Sequence, residues 1–182
     1  MAFTLQRLQR ADWSKAFIPL LLLSAIGIAV AGLYAANLRI NWTPSEPRGI
    51  YKVKPVSEGI NRYDLIEFCY SGPKGLYMTR GVCPNNTAPF LKQVVGLPGD
   101  IVVVGDAGVM VNGHMLPDSR PLRYSVADPS YALPVLRGRF LLKDGQFWVY
   151  GSGMPARSFD SRYFGPVELA SVRSVSTLQS KY

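Results

Sequence analysis

The fold class that the sequence predicts is an all-β domain tethered by one N-terminal transmembrane helix. Three observations predict it. Residues 16–38 carry no charge. Beyond residue 39 the chain breaks into short segments rich in β-branched and aromatic residues, separated by Gly, Pro, Asn and Asp. No long stretch there keeps the 3.6-residue period of an amphipathic helix.

The apolar run comes first. As a helix, residues 16–38 reach roughly 35 Å at about 1.5 Å per residue, enough to span a bilayer. Pro19 is expected in the first turn, where a missing N–H matters little. A cleavable secretory signal is the alternative. Its apolar core runs about 7–15 residues and ends at a small-x-small site. Ala29-Val30-Ala31 offers such a site, but the run continues past it, which favours an anchor. Arg7, Arg10 and Lys15 precede the segment, against Asp12 alone. Basic flanks stay cytoplasmic. Residues 1–15 are therefore expected in the cytoplasm, 16–38 in the membrane and 39–182 outside. Arg39 weakens this bias without reversing it.

Residues 39–182 suffice for one domain with its own core. They hold 17 of the 20 Lys and Arg and 11 of the 12 Asp and Glu, a balance of +6. That is a basic soluble surface, or one drawn to anionic lipid headgroups. Nucleic-acid binding fits poorly, because the charges are scattered and the region lies outside the cytoplasm. Cys69 and Cys83 are the two cysteines. An oxidising compartment favours a bridge between them, contributing on the order of 3 kcal/mol. Two separate thiols are the alternative. The spacing is wrong for a CxxC redox pair, and no His cluster offers a metal site, so neither metal nor cofactor is expected.

Strands are predicted at Ile50–Val53, Asp64–Phe68 and, more weakly, Tyr77–Arg80. Phe90–Val95 follows, and Leu97-Pro98-Gly99-Asp100 turns the chain. Ile101–Val104 and Val109–Val111 form a predicted hairpin around Gly105-Asp106-Ala107-Gly108. Phe140–Leu142 and Gln146–Tyr150 form a second, turned at Asp144-Gly145. Leu169–Val175 is the last strand. Residues 112–138, rich in Pro and Arg, are expected to be irregular.

Three stretches carry candidate chemistry. In Asn41-Trp42-Thr43-Pro44-Ser45-Glu46-Pro47-Arg48-Gly49-Ile50-Tyr51, prolines on both sides of Ser45 stiffen its backbone. Stiffness suits a nucleophile, though such loops are common. In Leu91-Lys92-Gln93-Val94-Val95-Gly96-Leu97-Pro98-Gly99-Asp100, strand alternation puts Lys92 on the face of Phe90 and Val94. Burial disfavours an ammonium, so a dry lysine can serve as a base. A free lysine, with pKa about 10.4, is neutral in about one molecule in 2,500 at pH 7. That handicap is worth roughly 4.6 kcal/mol. A lysine snorkelling to solvent is the bland alternative. The third stretch, Gly151 to Gly165, places Asp160 and Arg162 on one side if extended, and Ser158 and Ser161 offer hydroxyls to orient the lysine.

Together these stretches resemble the boxes of the type I signal peptidase family of serine–lysine enzymes. Lys92 to Asp100 is similar to its lysine box, and Ser158-Phe159-Asp160-Ser161-Arg162-Tyr163-Phe164-Gly165 to its last box. Around Ser45, the positions of Pro47, Gly49 and Tyr51 resemble the conjugative-transfer signal peptidases, as do the cysteines ahead of the lysine box. The resemblance implies a signal-peptidase-like domain of coiled hairpins, periplasmic and held at the inner membrane. It implies Ser45 as nucleophile, Lys92 as general base and Asp160 as a third catalytic position with Arg162 in support. Thr43 and the Ser45 N–H would form the oxyanion hole, and Ser158 would orient the lysine. The implied substrate is an exported precursor, pilin-like in a conjugative system. Ser152 departs from the Asp frequent in the wider family, and one extra residue separates Gly151 from Ser158.

Ser45 follows the uncharged run by seven positions. At about 3.3–3.6 Å per residue it stands within roughly 25 Å of the bilayer. Three rivals stand beside this expectation: a general leader peptidase, an anchored assembly protein without activity, and a triad of Ser45, His114 and an Asp.

Overall fold

The computed structural model describes residues 13–42, 44–72, 75 and 78–181. The chain divides into two compact units, residues 1–38 and 39–182.

In the first unit, α1 spans Trp13–Ala35. Its segment Phe17–Ala35 has a mean hydropathy of 2.2 and is long and apolar enough to cross a membrane. The helix begins three residues before the expected start, since Trp13-Ser14-Lys15 continue the backbone pattern although they end the charge-free run. Pro19 therefore lies in the second turn, not the first, where it removes one backbone donor. Helix geometry ends at Ala35 rather than at residue 38, because Asn37 takes a left-handed conformation (φ 57°) and Leu38 opens a strand.

The second unit is built on two sheets. The larger is seven-stranded, in the order β1-β2-β11-β3-β4-β9-β10. These are β1 (Leu38–Asn41), β2 (Gly49–Lys54), β3 (Leu65–Phe68), β4 (Phe90–Gly96), β9 (Gln146–Tyr150), β10 (Val167–Glu168) and β11 (Val172–Ser180). The smaller is four-stranded, β7-β6-β5-β8. It contains β5 (Ile101–Val104), β6 (Val109–Val111), β7 (His114–Met115) and β8 (Gly138–Leu141). The β5–β6 hairpin forms as expected, with Val102 opposite Val111.

The second expected hairpin does not form. β8 pairs with β5, while β9 pairs with β4 and β10. The turn at Lys143–Gln146 is present, with Gly145 at φ 76°. Just before it, however, Leu142 is buried and bonded through its backbone to Gly99 and Asp100, which passes the chain from one sheet to the other. The last strand is also displaced: Leu169–Ser171 is a 3-10 turn and β11 runs from Val172 to Ser180. Serines and threonine do not stop it, because it lies between β2 and β3 and fills both ladders. Of the weak strand at Tyr77–Arg80, Tyr77 lies outside the described residues, and Arg80 makes only an isolated bridge to Thr87. Residues 112–138 are irregular apart from β7 and a Tyr124–Ala132 bridge.

Strand alternation feeds two cores. Val94, Phe147 and Val149 join Ile66, Phe68, Val167 and Val175. Val95, Trp148 and Tyr150 join Val102, Val104, Val109, Val111 and Leu142. β4 and β9 thus supply apolar side chains to both cores. Gly96 is required where they meet, since a Cβ there would lie 2.8 Å from Trp148 Cβ. The turn after β4 is pinned by Asp100. Its carboxylate accepts hydrogen bonds from the Leu97 N–H at 2.7 Å, from Arg62 at 2.8 Å and from Asn112 at 2.7 Å. Burial raises its pKa, but these bonds outweigh burial and hold it below the usual range. Cys69 and Cys83 form a disulfide with Cα atoms 5.5 Å apart.

Candidate active site

Ser45 lies in the turn between β1 and β2 and is exposed. Neighbouring atoms hold this turn at several points. The Asn41 side-chain amide donates to the Glu46 and Pro47 carbonyls, both at 3.1 Å, and the Tyr51 hydroxyl donates to the Pro47 carbonyl at 2.7 Å. Gly49 faces the backbone of Ser180, where any side chain would collide. Gly153 does the same on the other side. A Cβ there would run into the Pro44 carbonyl oxygen and lie 2.7 Å from Glu46 N. The third stretch therefore packs directly on the backbone that presents Ser45.

Lys92 lies on β4, opposite Ile66 of β3. Val94, on its face, is fully buried, and Phe90 packs against the same core. Only 12% of the Lys92 side chain is exposed. Phe90 joins a ring cluster with Phe68 and Phe164, and Phe159 of the third stretch lies 6.3 Å from it. The second and third stretches are thereby locked together.

Asp160 and Arg162 are both fully buried. The chain there is helical, not extended: Asp160 caps the one-turn α2 (Ser161–Phe164), accepting from the Arg162 N–H at 3.2 Å. The two still pair, through Nε at 2.8 Å and Nη2 at 2.9 Å. Asp160 also accepts from the Gly151 N–H at 3.0 Å. Arg162 donates to the carbonyls of Pro155 at 2.6 Å and Ser158 at 3.3 Å, and its guanidinium lies over the Tyr150 ring at 5.0 Å. This pair ties both ends of the 151–162 loop together.

The remaining expected positions differ in outcome. Thr43 lies outside the described residues. Ser158 packs against Gly151, and its hydroxyl has no hydrogen-bond partner among the described residues, so it does not hold the lysine here. The Ser161 hydroxyl instead accepts from the Val149 N–H at 2.9 Å. His114 is exposed on β7 in the smaller sheet.

The acid beside the lysine is Glu46, which no sequence motif singled out. Its side chain is 1% exposed, and Oε1 lies 3.7 Å from Lys92 Nζ. Burial pushes its carboxyl up to about 8, the Lys92 charge opposes the rise, and Asp160 adds to it.

A test of this burial follows from linkage. The folded pKa, about 8, exceeds the ordinary 4.5, so the native state binds the extra proton between those values. Stability is therefore expected to fall as pH rises from about 4.5 to about 8. Glu46→Gln is expected to flatten that decline, read as denaturant midpoints at pH 5 and pH 8.

The sequence profile of the family described as signal peptidase, peptidase S26, matches residues 10–179. The chain belongs to this family. Among its relatives, the plasmid transfer protein TraF of Escherichia coli is 32% identical over 157 residues, 81% of this chain and 85% of that one. The probable conjugal transfer protein TraF of Sinorhizobium fredii is 32% identical over 167 residues, 85% of each chain. A crystal structure of a signal peptidase I from Enterococcus faecalis V583 matches at 26% identity with a TM-score of 0.38, covering 65% of this chain and 97% of that one. The family match and the TraF relatives bear out the sequence resemblance to type I signal peptidases, on the side of the conjugal TraF proteins.

Proposed function

We propose that this signal peptidase family member is an active serine endopeptidase with Ser45 as nucleophile and Lys92 as general base. The observation that carries this is the placement of Lys92: its side chain is only 12% exposed, on the face of β4 that joins an apolar core. The exposed, braced Ser45 supports the same reading.

In the proposed reaction, neutral Lys92 takes the Ser45 proton as the serine oxygen attacks the scissile carbonyl. The Ser45 N–H and the Thr43 hydroxyl receive the oxyanion, each donor worth about 3–4 kcal/mol. Lys92 then protonates the leaving amine and activates water for deacylation. A substrate amine in place of water would give ligation or cyclisation. The substrate is an exported, pilin-like precursor of a conjugative system, a proposal supported by the TraF relatives' names as transfer proteins. Residues 1–15 lie in the cytoplasm and the catalytic domain in the periplasm, supported by Arg7, Arg10 and Lys15 ahead of α1.

Ser45→Ala is expected to leave the precursor at full length in cells carrying the transfer system, seen by immunoblot. Unchanged processing removes the proposal.

A further inference from the structure

We propose that Glu46 is a positioning residue for Lys92: it works as a neutral carboxylic acid whose carbonyl oxygen orients the amine, and its ionisation switches the base off. This rests on the serine–lysine reading above and adds to it a residue acting through Lys92.

The geometry favours the neutral acid. Both Glu46 oxygens are buried, and among the described residues neither has a hydrogen-bond partner. A buried carboxylate is stable only with several donors around it. Lys92 Nζ, at 3.7 Å, is within ion-pair reach but beyond hydrogen-bond length. Ser152 and Lys92 face the carboxyl and hold its rise down, but neither closes to a hydrogen bond with it among the described residues, and burial outweighs both. The other charged or titratable groups facing Glu46 do not relieve it. Asp160 repels it and is itself bound to Arg162. Tyr51, from β2, is pushed up to about 12 by burial and then by Glu46, so it stays neutral at working pH.

Two states follow. While Glu46 is protonated, closing the 3.7 Å gap to hydrogen-bond length lets its carbonyl accept an N–H of the neutral amine, leaving the lone pair for the serine proton. Once Glu46 gives its proton to solvent, the carboxylate favours the ammonium form of Lys92 over the neutral amine, so at a given pH fewer molecules carry a free lone pair. Burial sets the change near pH 8.

The test uses the full chain in detergent and a penem as acylating probe, with adduct formation followed by intact mass from pH 6 to 9.5. In the labelling step the Ser45 oxygen bonds to the lactam carbonyl carbon, its proton passes to Lys92, and the carbonyl π pair moves to oxygen. Collapse breaks the C–N bond, and the ring nitrogen takes the proton from Lys92. Glu46 keeps its own proton throughout.

The ratio of Glu46→Gln to wild-type acylation rate is expected to rise about tenfold from pH 7 to pH 9, because the amide cannot ionise. At pH 7 Glu46→Gln is expected to outpace Glu46→Ala, since only the former keeps the carbonyl. A merely structural glutamate does not move the pH dependence of that ratio. Superimposed wild-type and Gln profiles, or an Ala variant as fast as Gln, overturn the assignment. Labelling that survives Ser45→Ala or Lys92→Met, or that fails in every form, overturns the serine–lysine reading and this assignment with it. Labelling abolished by those two substitutions, with an unshifted Gln profile, overturns the Glu46 assignment alone.

Discussion

Replacing Lys92 with methionine is expected to lower turnover by about ten-thousand-fold, the upper end of what a general base contributes, while the fold survives. The full loss is expected because, in the proposed mechanism, one amine serves both half-reactions, passing the serine proton to the leaving group and then activating water. Methionine suits the site. Its neighbours are Phe90, Val94 and Ile66, and an unbranched apolar side chain fills the space the lysine stem now occupies. Nor does the exchange strand a charge. Lys92 pulls the Glu46 carboxyl down from the value burial would give it, so without the lysine the acid is more firmly protonated. Stability is therefore expected to hold, since no buried charge is left unpaired. The check is acylation rate beside a melting curve. Lost stability in step with lost rate would make Lys92 a packing residue.

The same lysine shows what a sequence reveals about a site. Its face on β4 was legible because alternation is local: Phe90, Lys92 and Val94 share a side whatever the strand pairs with. Pairing is not local. Phe140–Leu142 and Gln146–Tyr150 flank a genuine turn, yet each strand has its partners elsewhere, and only the buried Leu142 between them explains the switch of sheet. Glu46 was missed for a related reason. One position from Ser45 in sequence, it is exposed or buried according to which way the turn faces, and that is set by Asn41 and Tyr51 at the ends of its own stretch and by Gly153 from a distant one. Asp160 and Arg162 were readable as a pair, but not as a helix cap, since α2 is a single turn too short to leave a period.

That pair carries the second large effect. Asp160→Ala is expected to destabilise the domain by about 3–5 kcal/mol, because it leaves a guanidinium with no exposure to water and no counter-charge. Asp160→Asn is expected to do little better: its amide N–H would face the Gly151 N–H or an Arg162 donor where a carboxylate oxygen now accepts. Replacing both residues, as Asp160→Leu with Arg162→Met, removes the stranded charge and is expected to recover part of the stability. It should not recover activity. Arg162 also holds the Pro155 and Ser158 carbonyls, and without it the 151–162 loop is no longer fixed where Gly153 meets the backbone of Ser45. Stability and rate are thus expected to part company in the double variant, with denaturant midpoint partly restored and penem acylation still slow. If Asp160→Ala instead keeps full stability and loses activity, Asp160 takes part in the chemistry itself and is more than a clamp on the loop beside the serine.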